Sequence, residues 1–154
     1  MAPEVGTEAP DFTVRDQNNQ EVTLSSFRGE RNVLLVFYPF AYSSLCTGEL
    51  CAVRDDLGYF QNDDVQILAI SVDHPFALKS WAENQGFDFP LLSDFWPHGA
   101  TAQAYGAFNE KAGMALRGTF LVDADGVIAF AEVNSPGDAR EQSGWKDAVG
   151  ALAA

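Results

Sequence analysis

The sequence predicts an α/β fold in which helices cover both faces of a mixed β-sheet. Two continuously apolar, β-rich segments, Asn32–Tyr38 and Val65–Val72, have the pattern of strands that are buried on both faces. A helical segment follows each of them, and this alternating order produces a right-handed parallel crossover. The turn sequence Asp123–Gly126 lies between two further β-rich segments and predicts a hairpin, which adds antiparallel strands to the sheet.

Shorter patterns predict the other elements. Short strands are expected in two hairpins, Asp11–Arg15 with Glu21–Leu24 and Thr119–Val122 with Val127–Val133. Helices are expected over Ser44–Phe60, Pro75–Gln85, Gly99–Tyr105 and Asp138–Leu152. The second helix has the clearest boundaries, because a proline opens it and Gly86 follows it. Since no linker rich in Pro, Gly or Ser divides the chain, we expect residues 1–154 to form a single domain.

Composition argues against several classes of protein. The 154 residues carry 22 Asp and Glu against nine Lys and Arg, and the net charge of −13 disfavours sequence-independent binding to nucleic acid. The longest apolar run, Val33–Phe40, is far shorter than the ~20 residues that span a bilayer, so no membrane segment is expected. The acidic N-terminal stretch lacks the apolar run of a signal peptide. Together with a content of only two cysteines, this favours a cytoplasmic protein.

Cys46 lies where a buried strand ends and a helix begins. The carboxyl edge of a central strand is where open α/β sheets place their functional sites. Ser43 or Ser44 can cap the helix, which puts Cys46 in the first helical turn. Free backbone N–H groups and the positive end of the helix dipole favour an anion at that position. We therefore expect a lowered pKa for Cys46 and high reactivity of its thiolate at neutral pH.

The helical periodicity leaves a second interpretation of Cys46 open. At ~100° per residue, one apolar stripe of the helix contains Cys46, Leu50, Val53, Leu57 and Phe60. A cysteine on such a stripe can simply be a small buried side chain without reactivity. Cys51 lies ~140° around the helix from Cys46, on the polar side, where packing explains a cysteine poorly.

Other cysteine chemistries fit the spacing less well. Cys46, Cys51, His74 and His98 could be assembled into a zinc site, but the two sulfurs point ~140° apart in one helix. A Cys–His hydrolase would need a histidine beside Cys46, and a thioredoxin-type oxidoreductase would have its cysteines three positions apart. We expect no metal and no organic cofactor.

The motif Pro39-x-x-x-Ser43-x-x-Cys46 resembles the active-site motif of the peroxiredoxins, thiol peroxidases with a thioredoxin-like fold. Segment Arg117–Asp123 is similar to the stretch that supplies the arginine of that family's active site, and the resemblance covers nearly the whole chain. Residues 93–110 resemble the AhpE-type peroxiredoxins of actinobacteria, which work with one cysteine. Cys51 departs from that type, because a second cysteine at this spacing is typical of the PrxQ (bacterioferritin-comigratory-protein) branch.

The resemblance implies a role for each residue of the motif. Cys46 would attack a hydroperoxide and become a sulfenic acid. Arg117 would stabilise the thiolate and the charge of the transition state, and Ser43 would place a hydroxyl near the sulfur. Pro39 would shield the thiolate from water. Glu49 would orient Arg117, although an acid in the first helical turn is also common for its effect on the dipole alone.

Recycling of the sulfenic acid stays open at this point. Either Cys51 forms an internal disulfide, or an external thiol such as mycothiol with mycoredoxin, or thioredoxin, attacks Cys46. Two Cα atoms five residues apart in an α-helix are about 8–9 Å apart, whereas a disulfide needs less than about 7 Å, so the helix would have to unwind. Gly48 lies between the cysteines and lowers that cost.

Partners and alternative functions follow from the same residues. The family resemblance implies a homodimer with contacts from the rim around Cys46. Tyr42 and the aromatic segment Phe95–Pro97 could form a lid over the core, a surface for self-association or a hydrophobic wall for organic peroxides. A redox sensor that relays oxidation of Cys46 to a partner protein is the alternative to an enzyme. A non-catalytic α/β domain with inert cysteines is a third possibility.

Overall fold

The computed structural model describes residues 2–135, 137, 140 and 142–153. The strands are β1 (Thr13–Arg15), β2 (Glu21–Thr23), β3 (Asn32–Phe37), β4 (Val65–Ser71), β5 (Leu91–Ser93), β6 (Phe108–Asn109), β7 (Met114–Ala115), β8 (Arg117–Val122) and β9 (Ile128–Asn134). The α-helices are α1 (Ser44–Asp55), α2 (Leu57–Phe60), α3 (Pro75–Gln85), α4 (Ala100–Ala104) and α5 (Gln142–Ala153), and a 3-10 turn covers Leu24–Phe27.

A seven-stranded mixed sheet organises these elements, in the order β2-β1-β5-β4-β3-β8-β9. β3 is parallel to β4, and β4 is parallel to β5. β8 is antiparallel to both β3 and β9, and β1 is antiparallel to both β2 and β5. The predicted mixed sheet with an early parallel crossover and a late hairpin is confirmed, and β3 lies inside the sheet between β4 and β8.

The sheet separates two apolar layers, because successive residues of a strand point to opposite faces. Leu34 of β3 belongs to the layer that contains residues of α1, α2, α3 and α5, whereas Leu35 belongs to the layer that contains residues of α4. Trp81 and Trp145 are fully buried in the first layer, as their places on predicted helices indicate. Helices therefore cover both faces of the sheet.

Several elements differ from the prediction. The helix expected over 44–60 ends at Asp55, and the chain turns at Asp56 (φ −127°, ψ 29°) before α2 begins. That turn brings Phe60 against Trp145, with ring centroids 6.2 Å apart in an edge-to-face arrangement. The short strand β5 and the hairpin of β6 and β7 were not predicted, because two or three residues are too few to show a periodicity.

The last helix begins later than the sequence predicts. Arg140 lies outside any helix, and α5 starts at Gln142. Residues 138, 139 and 141 of the predicted helix lie outside the described residues. Within the described part of the chain, none of the helices has the length and apolar character needed to cross a membrane.

Candidate active site

The loop after β3 is fixed to two neighbouring elements. The backbone N–H of Ala41 donates to Asp73 Oδ2, just past β4, at 2.8 Å. Tyr42 has a left-handed backbone (φ 70°), which is uncommon for a side chain of its size. Its hydroxyl is 2.5 Å from the hydroxyl of Ser80 on α3, and its ring lies 6.2 Å from that of Trp81. The loop that leads into α1 is therefore held by contacts at both its backbone and its side chains.

Cys46 lies in the first turn of α1 and is completely buried, as the sequence predicts. Ser43 is the N-cap residue, and its carbonyl accepts the first helical hydrogen bond from the N–H of Thr47 at 2.8 Å. The predicted side-chain cap is wrong, because the Ser43 hydroxyl donates instead to the carbonyl of Phe40 at 3.1 Å. Ser43 is half-buried, and Pro39 is buried at the end of β3.

Arg117 connects Cys46 to Glu49 through one guanidinium group. It is the first residue of β8, it is only 2% exposed, and its Nη2 donates to Cys46 Sγ at 3.2 Å. Its Nη1 donates to Glu49 Oε1 at 2.6 Å. Cys46 and Glu49 share one face of α1, because residues three apart in a helix are neighbours. The structure thus brings together the cysteine, the arginine and the carboxylate that the sequence predicts.

Arg140 is a member of the site that the sequence reasoning missed. Its Nη2 donates to Glu49 Oε1 at 2.7 Å, and its Nε and backbone N–H both donate to Glu49 Oε2 at 3.1 Å. Its Nη1 also donates to the carbonyls of Phe37 and Gly118, at 2.6 and 3.1 Å. The buried carboxylate of Glu49 needs positive charge beside it, but nothing in the sequence indicates that this charge comes from a residue 91 positions away.

The two arginines keep Glu49 ionised. Burial alone would raise the pKa of Glu49, but hydrogen bonds and positive charge from Arg140, together with the charge of Arg117, leave its pKa below the ordinary value of 4.5. Charge-assisted hydrogen bonds of this kind are short and strong. The carboxylate can therefore hold the Arg117 guanidinium in a fixed orientation beside the Cys46 sulfur.

Cys51 lies apart from Cys46, at the contact between α1 and α3. Its thiol donates to Gln85 Oε1 at 3.5 Å, and its side chain is half-buried against the apolar layer. The expectation that packing explains Cys51 poorly is wrong, because its side chain packs against the apolar layer and contacts the end of α3. Both cysteines are free thiols. Among the described residues, no cluster of three or more His, Cys, Asp or Glu side chains is arranged to hold a metal ion.

Several aromatic side chains near this edge of the sheet are exposed rather than folded over the core. Trp96 is 82% exposed and Phe76 is 80% exposed, and Phe95 and Tyr42 are about half exposed. The lid interpretation is therefore wrong for the segment 95–97. His98 is hydrogen-bonded through Nε2 to the carbonyl of Gly113 at 2.7 Å, and no described contact joins it to Cys46.

This fold and this site together define a class of protein, the thiol-dependent peroxidases known as peroxiredoxins. The chain belongs to the AhpC/TSA family, whose sequence model matches residues 5–131. It is 60% identical over 150 residues to alkyl hydroperoxide reductase E of Mycobacterium tuberculosis, a match that covers 97% of this chain and 98% of the relative. It is 39% identical over 135 residues to a putative peroxiredoxin of the same species, with 84% of each chain covered.

Solved structures agree with this assignment. Reduced 2-Cys peroxiredoxin of Plasmodium vivax superposes with a TM-score of 0.87 at 28% identity, covering 98% of this chain and 83% of the other. Peroxidoxin BcpB of Mycobacterium tuberculosis gives a TM-score of 0.82 at 29% identity, covering 97% and 96%. The thioredoxin-like α/β fold implied by the sequence motifs is confirmed. The protein is an enzyme that reduces hydroperoxides with the help of thiols.

Proposed function

We propose that Cys46 is the residue that reacts with the hydroperoxide. The sulfur of its thiolate attacks one peroxide oxygen, the O–O bond breaks, and the sulfur becomes a sulfenic acid. The other oxygen leaves as alkoxide or hydroxide and takes up a proton to give an alcohol or water. The observation that carries this proposal is the 3.2 Å contact between Arg117 Nη2 and Cys46 Sγ inside a buried site.

Arg117 acts on both the nucleophile and the leaving group in this proposal. Its permanent positive charge and fork of donors stabilise negative charge on the sulfur before the attack. The same donors stabilise the charge that develops on the peroxide oxygens, and burial strengthens this interaction because water is excluded. Glu49 and Arg140 are positioning residues, since Glu49 holds the guanidinium of Arg117, Arg140 holds Glu49, and neither touches the sulfur in any described contact.

Pro39 and Ser43 complete the proposed site. Pro39 is buried at the end of the strand that leads to Cys46, where it limits the access of water. The Ser43 hydroxyl lies one helical turn before Cys46 and can turn from the Phe40 carbonyl to a bound peroxide, since a hydroxyl is both donor and acceptor. The backbone N–H groups of the first turn of α1 add further donors.

Cys51 is the proposed resolving residue. It is a second free thiol in the same helix, and a sulfenic acid at Cys46 can condense with it to form a disulfide. In intact α1 the two Cα atoms are about 8–9 Å apart, so the first turns of the helix must unwind. An external thiol, of the mycothiol–mycoredoxin or thioredoxin type, would then reduce the disulfide.

Single-turnover mass spectrometry tests both cysteines. The wild type, Cys46→Ser and Cys51→Ser are each mixed with one equivalent of hydrogen peroxide, quenched with an alkylating reagent and weighed intact. We expect no peroxide consumption by Cys46→Ser, loss of two hydrogens in the wild type, and a sulfenic acid without disulfide in Cys51→Ser. Rapid peroxide consumption by Cys46→Ser would overturn the role of Cys46. A wild type that keeps its sulfenic acid would overturn the role of Cys51.

The assembly and location belong to the same proposal. We propose that residues 1–154 act as one domain, that two copies form a dimer through the exposed aromatic surface, and that the protein works in the reducing cytoplasm. The peroxidase names of the relatives favour catalytic turnover over a relay of oxidation to a partner protein.

A further inference from the structure

Three side chains join the second half of α1 to the end of α3, and we call them the Gln85 junction: Cys51, Arg54 and Gln85. The Cys51 thiol donates to Gln85 Oε1 at 3.5 Å, and Arg54 Nη1 donates to the backbone carbonyl of Gln85 at 2.6 Å. Gln85 is the last residue of α3, and Gly86 follows it with a left-handed backbone (φ 71°). Carbonyls at the end of a helix have no partner within the helix, so Arg54 supplies one.

Both hydrogen bonds are made by residues of the wound helix α1. Cys51 and Arg54 are three residues apart, and α-helical geometry alone places both of them toward one residue of α3. Unwinding that spreads from the first turns to Cys51 would carry its thiol away from Gln85, and unwinding that continues to Arg54 would leave the Gln85 carbonyl without its donor.

We infer that the Gln85 junction sets the rate of the resolving step, in which Cys51 attacks the oxidised Cys46. This inference rests on the proposed role of Cys51 as the resolving residue. In that step the S–O bond of the sulfenic acid breaks and the S–S bond forms. The oxygen leaves as water with the proton of the Cys51 thiol, so that the sulfenic sulfur is reduced and the Cys51 sulfur is oxidised. Cys51 must leave Gln85 Oε1 before its sulfur can reach Cys46, and the Arg54 contact opposes that release because it holds the second half of α1 against the end of α3.

The junction also fixes how much peroxide the enzyme tolerates. A sulfenic acid that waits at Cys46 can react with a second peroxide and become a sulfinic acid, which no thiol reverses. Slow opening of the junction lengthens that wait, and fast opening shortens it. Weaker contacts at Gln85 should therefore protect the enzyme from overoxidation without slowing the formation of sulfenic acid, whereas damage to the active site would slow both reactions with peroxide.

Rapid-quench mass spectrometry of substitutions at the junction tests the inference. Gln85→Ala removes the acceptor of the Cys51 thiol, Arg54→Ala removes the donor to the Gln85 carbonyl, and Gln85→Glu keeps an acceptor at the same reach. Glu83→Ala is the matched control, because it is an exposed position on α3 that gains the same helix-favouring residue. Each protein is mixed with one equivalent of hydrogen peroxide and sampled for sulfenic acid and disulfide, then with a large excess and weighed for sulfinic acid.

We expect disulfide formation to be faster by about threefold to tenfold in Gln85→Ala and in Arg54→Ala, as the loss of one ordinary hydrogen bond implies. Gln85→Glu and Glu83→Ala should keep the wild-type rate or a lower one. The two alanine variants at the junction should also yield less sulfinic acid, while the rate of sulfenic acid formation stays as in the wild type.

Two failures are distinguishable. If the wild type forms no disulfide, the resolving role of Cys51 is wrong and the inference falls with it. If the wild type forms the disulfide but both junction variants form it at the wild-type rate or more slowly, the resolving role stands and the inference is wrong. A variant that does not fold also fails to form sulfenic acid and is recognised in this way. If Gln85→Ala does not fold, the disulfide rate of Arg54→Ala tests the inference on its own.

Discussion

Glu49 makes more contacts within the site than a sequence motif can indicate. One carboxylate accepts hydrogen bonds from Arg117 and from three nitrogens of Arg140, and all three side chains are buried. The position of Cys46 could be predicted from local sequence, because a strand end and a helix start are local features. Arg140 could not, because its partner is 91 residues distant and only the closure of the sheet brings the two together.

Glu49→Gln removes the negative charge and leaves two buried guanidinium groups without it. Breaking a buried ion pair in this way costs about 3–5 kcal/mol of stability. We also expect sulfenic acid formation to slow by about tenfold or more, because Arg117 loses the partner that fixes its orientation. Stopped-flow peroxide kinetics and urea unfolding measure the two effects. Glu110→Gln, at an exposed position, is the control, and a Glu49→Gln enzyme as fast as that control would contradict the positioning role.

The difference in stability between the wild type and Glu49→Gln should depend on pH, and the lowered pKa of Glu49 sets the sign of that dependence. A carboxyl whose pKa is lower in the folded than in the unfolded state stabilises the fold above its unfolded pKa, near 4.5. This stabilisation is lost as the pH falls through the lower, folded pKa. The free energy of unfolding of the wild type should therefore exceed that of Glu49→Gln by a constant amount from pH 6 to 7, and this difference should shrink below pH 4.5. A difference in free energy of unfolding that grows in acid would contradict the stabilising role of ionised Glu49.

At the scale of the elements, the sequence predicts best those that are buried on both sides. β3 and β4 have continuous apolar runs, and their parallel pairing follows from the helical segment that lies between them in the sequence. β5 has only three residues, so its place beside β4 depends on contacts rather than on a pattern. The sequence does not show the helix break at Asp56, because the apolar stripe continues past it to Phe60. The turn is stabilised by tertiary contacts, an ion pair of Asp56 with Lys146 and the packing of Phe60 on Trp145.

Gly48 offers a test of helix unwinding in α1. It is exposed in the helix, and a Cβ at this position would meet no atom within 4 Å. Gly48→Ala should stabilise α1 by about 1 kcal/mol, and this should slow disulfide formation by about fivefold and increase overoxidation in excess peroxide. Gly150→Ala in α5 is the control, since its Cβ is equally free and it stabilises another helix. Equal disulfide rates in the two variants would show that unwinding of α1 does not limit the step.

At the scale of the whole molecule, charge and apolar surface act against each other in self-association. Each chain carries a net charge of −13, so two copies repel one another in dilute salt. The exposed aromatic side chains along one edge of the sheet favour association, because aromatic residues dominate the energetics of interfaces. A dimer through this surface should therefore become tighter as salt screens the repulsion.

Trp96→Ala tests the proposed surface. Trp96 is 82% exposed, and loss of a tryptophan at the centre of an interface weakens binding by about 30-fold or more. Sedimentation equilibrium at low and high salt should show a dimer for the wild type and mostly monomer for the variant at the same concentration. Val133→Ala, on the edge strand β9 at the other end of the sheet, should behave as the wild type. A variant as dimeric as that control would place the interface elsewhere.

The anchored loop before α1 has a consequence for proteolysis. Ala41 and Tyr42 tie that loop to Asp73 and Ser80, so the chain is fixed up to the start of the helix. In the proposed disulfide form, the newly exposed backbone would therefore be confined to α1, whose one basic residue is Arg54. Once unwinding spreads along α1 to Arg54, trypsin would cut after this residue faster in the oxidised protein than in the reduced one, so that the amount of this one fragment would report the redox state of the enzyme.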